Sequence, residues 1–174
     1  MIYKLISKMT SKLTKNEILK ICYLKNTYWK YGMKEQIDWF KKNVQNNDIH
    51  NLLFLDKKLV GYTALKKRIF FSIRNNSFLK GNYLLFDTLI IDRKYRKKKL
   101  STLLMRFNNN IIFQNRKTSF LVCRSSQVNY YLKYNWKQMN AKRFNVYDHT
   151  FKKSGMVFNL RKLEDKFFTF FIHK

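Results

Sequence analysis

One stretch of the chain decides the fold, and it reads YLLFDTLIIDRKYRKKKLS over residues 83–101. Its first nine residues are nearly all apolar or β-favouring, a pattern typical of a strand that is covered on both faces. Four consecutive basic residues follow at 96–99. We therefore expect a central strand that ends in a basic loop.

An amphipathic helix follows this loop. The spacing of one helix face is kept by Leu100, Leu103, Leu104, Phe107 and Ile111. Because a helix N-terminus carries unpaired N–H groups and a partial positive charge, a loop that enters it from a central strand can bind phosphate. On charge alone, residues 96–99 would equally suit a solvated stretch or a nucleic-acid patch. Their position between strand and helix favours the phosphate site.

The rest of the chain alternates strands and helices. A capping box of Thr14 and Glu17 opens the first helix. We predict two further helices, over 34–44 and 127–133. Strands are predicted over 2–8, 51–55, 59–64, 66–73 and 118–123, followed by a late strand pair over 138–147 and 155–161. A turn is expected at 56–58 and a break in the strands near 81–82. Residues 167–172 suit either an added strand or a loosely packed segment.

Composition limits the class of protein. A chain of 174 residues has the size of one domain, and 45% hydrophobic residues exclude a mainly disordered state. Its 37 Lys and Arg against 10 Asp and Glu give a net charge of +27, which attracts nucleic acid, anionic membranes and phosphorylated cofactors. The abundance of Lys, Asn, Ile, Phe and Tyr indicates an AT-rich gene, so part of this positive charge reflects base composition instead of function.

Two cysteines, Cys22 and Cys123, form neither a disulfide framework nor a spacing typical of metal ligands. A reducing cytoplasm and no metal are therefore expected. We find no signal peptide, and the longest apolar block, 167–172, is far shorter than the roughly 20 residues that span a bilayer.

Residues 96–101, RKKKLS, resemble the acyl-CoA pyrophosphate loop of the GNAT superfamily of N-acetyltransferases, whose pattern is Gln/Arg-x-x-Gly-x-Gly/Ala directly after the fourth strand. Arg96 matches the first position, and Ser101 is a small residue at the last. Lys99 replaces the first glycine, whose missing Cβ lets the backbone approach phosphate. The positive charge of Lys99 would offset part of that loss.

A second segment, YYLKYNW over residues 130–136, resembles the Phe-Tyr-x-x-x-Gly-Phe signature of the same family. Asn135 replaces the glycine, which is a mild change because Asn tolerates the left-handed conformation found after a helix end. Tyr131 matches the tyrosine that commonly protonates the departing CoA thiolate. Without the resemblance, a packing role would be the simpler interpretation of Tyr131.

The resemblance implies an α/β (α+β) GNAT fold. Its sheet is mixed and mostly antiparallel, has six to seven strands, is splayed between the fourth and fifth strands and is flanked by about four helices. Residues 1–174 would form one acetyltransferase domain, with 162–174 either part of it or a loosely packed tail. The expected reaction is direct attack of a primary amine on the thioester of acetyl-CoA.

The resemblance also implies a cofactor site at the end of the fourth strand. The backbone N–H of Leu89 would donate to the oxyanion, and Ile91 would contact pantetheine. The expected cofactor-binding residues are Leu89, Ile90, Ile91, Arg96, Lys97, Lys98, Lys99, Leu100, Ser101 and Thr102.

Three residues are candidates for the base that deprotonates the acceptor. Asp87 is the best, because a carboxylate inside an apolar strand is costly to bury unless it is paired or hydrogen-bonded. A position at a partly solvated strand splay, or an ion pair with Lys or Arg, would explain it equally well. His50, expected in the loop before the second strand, is the second candidate, and a solvated loop histidine is the simpler interpretation. Glu35 is a weaker third.

Other functions stay open. A basic nucleic-acid-binding module would explain the charge, although no such motif is present, and a catalytically degenerate acyl-CoA binder would explain Lys99. The expected acceptor is a small amine such as an amino sugar, and the charge favours an acidic or phosphorylated one such as a nucleotide-linked sugar. Trp29, Tyr31, Trp39 and Tyr147 lie in the acceptor-specifying regions without an interpretable pattern.

Overall fold

The fold is a mixed, mostly antiparallel sheet with helices, seen in a computed structural model that describes residues 2–74, 77–96, 98–147, 154–160 and 167–173. The helices of the described residues are α1 (Lys15–Asn26), α2 (Met33–Asn43), α3 (Leu100–Gln114) and α4 (Val128–Leu132). Their strands are β1 (Tyr3–Met9), β2 (Ile49–Leu55), β3 (Lys58–Arg74), β4 (Ser77–Ile91), β5 (Ser119–Cys123), β6 (Lys137–Gln138), β7 (Phe144–Val146), β8 (Ser154–Phe158) and β9 (Phe167–Phe170). The predicted fold class is confirmed, with two or three more short strands than expected.

The chain divides into two compact units. The first unit comprises Met1–Lys66 and Asp87–Asn108, and the second comprises Lys67–Phe86 and Asn109–Lys174. β3, β4 and α3 each begin in one unit and end in the other. Among the described residues, no helix has both the length and the apolar character needed to cross a lipid bilayer.

In the first unit, β1, β2 and the start of β3 form an antiparallel meander. The predicted hairpin between β2 and β3 is confirmed, and Asp56 adopts a positive φ of 51° in its turn, a conformation that Asp tolerates better than most residues. The capping box is also confirmed: Thr14 accepts the N–H of Glu17, and the Glu17 carboxylate accepts the N–H of Thr14. These contacts fix the start of α1, whose apolar face packs on β2.

The predicted interruptions of β3 and β4 are wrong. β3 is one strand where two runs were expected, and β4 starts before the expected break at 81–82. Gly81 lies within the strand, where the ring of Phe70 fills the space that a Cβ would occupy. The glycine therefore marks a close approach of a side chain and not a break in the strand. The far end of β3, at 70–73, is held by antiparallel pairing with β9. The segment left undecided by the sequence is therefore a strand over Phe167–Phe170.

In the second unit, β5 lies between β4 and β8. β4 and β5 pair in parallel at only two positions, Leu84–Ser119 and Leu85–Phe120, which agrees with the expected splay. The predicted late strand pair is partly wrong. Within the predicted strand over 138–147, Gln138 of β6 pairs with β8, whereas β7 pairs in parallel with β9. Residue 161 of that prediction lies outside the described residues.

The buried face of α3 is rotated from the predicted one. Leu103 is 38% exposed, and the face that is buried consists of Leu100, Leu104, Met105, Asn108 and Ile112. Asn108 is buried because its side chain accepts hydrogen bonds from Asn51 and Thr63. Apolar spacing alone misses such a position, since a polar side chain with buried partners can replace an apolar one.

The turn after α4 has the geometry of a Schellman motif. Asn135 has a φ of 63°, its N–H donates to the carbonyl of Leu132, and the N–H of Trp136 donates to the carbonyl of Tyr131. The left-handed conformation predicted for Asn135 is thus confirmed, and it turns the chain so that Trp136 is buried.

We expect Asn135→Ala to lower the free energy of unfolding by about 1 kcal/mol, because alanine pays the full cost of the left-handed conformation. Asn135→Gly should be neutral or slightly stabilising, since glycine pays none of that cost. Urea denaturation of the two variants measures the difference. Equal stability of the Ala and Gly variants would contradict the role given to the backbone at this position.

Candidate functional site

The loop between β4 and α3 lies in the first unit and is fixed by Asp92. One carboxylate oxygen of Asp92 accepts the N–H of Lys94 at 3.0 Å, which closes a short turn, and the other pairs with the ammonium of Lys58 at 2.9 Å. The turn therefore has a side-chain tie to the start of β3. This tie determines where the chain leaves β4 and enters the basic loop.

Lys99 has a positive φ of 55°. Glycine ordinarily occupies such a position, and another residue there costs about 1 kcal/mol. The carbonyl of Lys99 accepts the N–H groups of Thr102 at 3.0 Å and Leu103 at 3.2 Å, so α3 begins at this point. The loop thus keeps a glycine-like backbone without the glycine. The N–H groups of Leu100 and Ser101, which precede the first of these bonds, lack intrahelical acceptors.

The other predicted cofactor-binding residues surround this junction of β4 and α3. Arg96 lies over the ring of Tyr28, 5.6 Å from its centroid, and its Nε donates to the carbonyl of Ile91. Lys98 lies over the ring of Tyr95. Of the remaining set, Ile90, Ile91 and Leu100 are buried, and Leu89, Ser101 and Thr102 are half-buried. Lys97 lies outside the described residues.

A pocket of about 490 Å³ lies in the first unit. It is lined by Lys25, Trp29, Tyr31, Glu35, Gln36, Trp39, Asp87 and Thr88. Three of the aromatic residues that the sequence left without an interpretation therefore share one site. The turn from α1 into α2 positions them: Gly32 has a φ of 102°, and its N–H donates to the side chain of Asn26 at 3.0 Å.

Asp87 forms an ion pair and also lines the pocket. Its carboxylate lies 3.0 Å from the ammonium of Lys66, whose side chain is only 5% exposed, and it accepts the hydroxyl of Thr88 at 3.1 Å. The Asp87 side chain itself is 26% exposed. The ion pair accounts for a carboxylate in an apolar strand, and the remaining exposure leaves that carboxylate accessible from the pocket.

His50 lies in a different environment from the one expected. It is the second residue of β2 instead of a loop residue, and it is fully buried. Its Nε2 lies 2.8 Å from the hydroxyl of Thr10, and its Nδ1 lies 2.8 Å from the hydroxyl of Tyr62. Burial, with the charge of Lys66, lowers the pKa of His50 to about 4. Both ring nitrogens of His50 are therefore occupied by hydroxyl groups inside the core, whereas the carboxylate of Asp87 lines the pocket.

Tyr131 belongs to the second unit, on α4. Its ring packs against Phe86 and Trp136 and is 8% exposed. Burial, aided by Cys123, raises the pKa of Tyr131 well above its ordinary value. The phenol is therefore protonated at neutral pH, as a proton donor must be.

Lys25 is a pocket residue that the sequence reasoning missed. It is 6% exposed, and its ammonium lies 3.5 Å from the centroid of the Trp39 ring, over which the ammonium of Lys66 also lies at 4.2 Å. Burial lowers the pKa of Lys25 to about 8, against the opposing effect of Asp87. Among 37 basic residues, no sequence signal marks this one.

Lys25 should make stability depend on pH. When burial lowers the pKa of a lysine, its charged form destabilises the folded state at pH values below the lowered pKa. For Lys25 this destabilisation is lost as pH rises from about 8, its pKa in the folded state, toward 10.5, the ordinary pKa of lysine. The full effect corresponds to about 3 kcal/mol. We expect the stability of the wild type, measured relative to Lys25→Met by urea denaturation, to rise over this pH range.

The matched control is Lys15→Met, since Lys15 is an exposed residue at the start of the same helix. Its difference from the wild type should not vary between pH 8 and 10. A stability difference for Lys25→Met that is equally flat would show that Lys25 titrates normally.

No protein-family model matches the chain, and no curated protein matches it. Solved structures do. An acyl-CoA N-acyltransferase from Pseudomonas aeruginosa is similar with a TM-score of 0.65 at 15% identity, and Escherichia coli ElaA with a TM-score of 0.64 at 13% identity; each comparison covers 90% of this chain and 99% of the other. An aminoglycoside 6'-N-acetyltransferase complexed with coenzyme A has a TM-score of 0.62 at 12% identity, covering 88% of this chain and 96% of that one.

At these identities the similarity establishes the fold. The chain has the fold of the GNAT superfamily of N-acetyltransferases.

Proposed function

We propose that the chain is an acyl-CoA-dependent N-acyltransferase that transfers an acetyl group from acetyl-CoA to the primary amine of a small molecule such as an amino sugar. The supporting observation is the junction of β4 and α3, where Lys99 keeps a glycine-like backbone at the start of a helix. We further propose that residues 1–174 act as one domain. The two buried, free cysteines suit a reducing cytoplasm.

In this proposal, the residues around Lys99 bind the diphosphate of acetyl-CoA. The N–H groups at the start of α3 and the side chains of Arg96 and Lys98 supply hydrogen bonds and positive charge. The apolar strand end, Leu89 to Ile91, contacts the pantetheine arm. Lys97 and the helix residues Leu100, Ser101 and Thr102 complete the expected set. Acetyl-CoA, when bound, supplies the thioester carbonyl.

Asp87, Leu89 and Tyr131 would carry the chemistry. Asp87 accepts a proton from the acceptor ammonium, directly or through water, and Lys66 holds its carboxylate in place. The N–H of Leu89 donates to the carbonyl oxygen as it gains charge. As the new C–N bond forms and the C–S bond breaks, Tyr131 donates its proton to the thiolate.

The acceptor would occupy the pocket beside Asp87. Its volume of about 490 Å³ falls within the roughly 300–1,000 Å³ typical of small-molecule sites. Its aromatic walls, Trp29, Tyr31 and Trp39, suit the carbon frame of a small amine. A small molecule is therefore favoured over a macromolecular acceptor.

A thiol-release assay with acetyl-CoA and a panel of amines tests the proposal. The wild type should release thiol with at least one amine, and Tyr131→Phe should lower turnover about a hundredfold with acetyl-CoA affinity nearly unchanged, because only the proton donor is lost. Tyr130→Phe, which removes the hydroxyl of the adjacent ring, is the matched control and should keep most of the turnover.

Thermal unfolding separates the competing functions. Acetyl-CoA should raise the melting temperature at moderate salt, whereas stabilisation by a DNA duplex would weaken steeply as salt rises. Stabilisation by DNA alone would favour a nucleic-acid-binding module. Stabilisation by acetyl-CoA without thiol release from any amine would favour a catalytically degenerate acyl-CoA binder.

In the thiol-release assay, an unchanged rate in Tyr131→Phe would show that Tyr131 is not the proton donor.

Substitutions at Lys99 test the loop. Lys99→Ala should weaken acetyl-CoA binding several-fold, roughly threefold to tenfold, because it removes a charge and keeps both the Cβ and the strained backbone. Lys99→Gly should bind more tightly than Lys99→Ala, since glycine adopts the positive φ freely. Calorimetry at low and high salt measures both effects, and the loss in Lys99→Ala should shrink at high salt. Tighter binding by Lys99→Ala than by the wild type would refute this account.

A further inference from the structure

Lys25 is a buried cation on the pocket that has no acid of its own. It projects from α1, is 6% exposed and lines the pocket. Within the described part of the chain, its ammonium has no carboxylate at ion-pair distance. Asp87 acts on it only from a longer distance and is itself paired with Lys66. Its contacts there are the rings of Trp29 and Trp39.

The two acids that line the pocket, Asp87 and Glu35, do not form an ion pair with Lys25. Asp87 forms its ion pair with Lys66, a buried lysine of β3. Glu35, the other acid on the pocket, is exposed at the first turn of α2. The buried ammonium of Lys25 is therefore left without an ion-pair partner among the residues that line the pocket.

The Trp39 ring compensates for only part of this. A cation–π contact at 3.5 Å stabilises an ammonium by less than burial of the same ion costs. The lowered pKa of Lys25 reflects this imbalance. An anion bound beside the ammonium would compensate for the buried charge. A neutral ligand would instead cover Lys25 and increase the cost of burying it.

We propose that the acceptor amine also carries a carboxylate or a phosphate, and that Lys25 binds this anionic group. The inference rests on the proposed function and names the substrate class of the same pocket. Asp87, on β4, serves the amine, and Lys25, on α1, serves the anion. The rings of Trp29 and Trp39 contact the carbon frame between them.

Selectivity follows from this arrangement. An acceptor with both charges satisfies Lys25 and Asp87 together. A neutral derivative of the same acceptor leaves the ammonium of Lys25 buried and unpaired, which is costly. The protein should therefore discriminate against amines that lack the negative group.

Two matched pairs of amines test this and separate the sources of negative charge. One pair is an amino acid and its carboxamide, and the other is an amino sugar and its phosphate ester. Thiol release from acetyl-CoA gives kcat/KM for each. We expect the anionic member of at least one pair to be favoured by about tenfold to a hundredfold. The pair that shows the preference identifies the anion as carboxylate or phosphate.

Variants at Lys25 assign the preference to this side chain. Lys25→Met removes the charge while keeping a side chain of similar length. In this variant, kcat/KM for the anionic amine of a pair should be within about twofold of kcat/KM for its neutral partner. Lys25→Arg keeps the charge and should retain part of the preference. Lys15→Met changes the net charge equally, at an exposed residue outside the pocket, and should show the wild-type ratio.

A preference for the neutral members, or a ratio that Lys25→Met does not change, overturns the proposal. Calorimetry with the same anionic amines provides a measurement independent of turnover: if the wild type binds none of them more tightly than Lys25→Met does, the proposal fails. Failure of the proposed function gives a different result, since acetyl-CoA would then neither stabilise the protein nor release thiol with any amine.

Discussion

The ion pair between Lys66 and Asp87 is the interaction on which the pocket depends. Lys66 is almost fully buried on β3, and without an opposite charge its ammonium would cost several kcal/mol of desolvation. Asp87, on β4, supplies that charge at 3.0 Å, and Lys66 also contacts the ring of Trp39 on α2. These two contacts join two strands and a helix beside the pocket, and loss of Asp87 would leave the buried charge of Lys66 uncompensated.

Local sequence patterns predicted the features that depend on residues close in the chain. The capping box at Thr14, the order of strand, loop and helix at 83–114, and the left-handed Asn135 are confirmed for this reason. The length of β3 and the pairing of β9 were wrong or undecided, because residues 70–73 pair with residues almost a hundred positions away. No local pattern contains that information.

The candidate site divides in the same way. Asp87 could be singled out because a carboxylate interrupts an apolar run, and the structure places it on the pocket. Lys25 and Lys66 could not, since a chain with 37 basic residues gives no lysine a distinctive pattern. His50 follows polar residues and resembles a loop histidine, but Thr10 and Tyr62 are distant in sequence and provide its buried partners.

Lys99 and Asn135 adopt φ angles of 55° and 63° at the two places where the GNAT patterns have glycine. The shape of the backbone has therefore been kept while the residue that usually permits it has been replaced. This matters for how distant relatives of this fold are recognised. A motif defined by residue letters rejects the chain at both places, whereas a motif defined by dihedral angles accepts it.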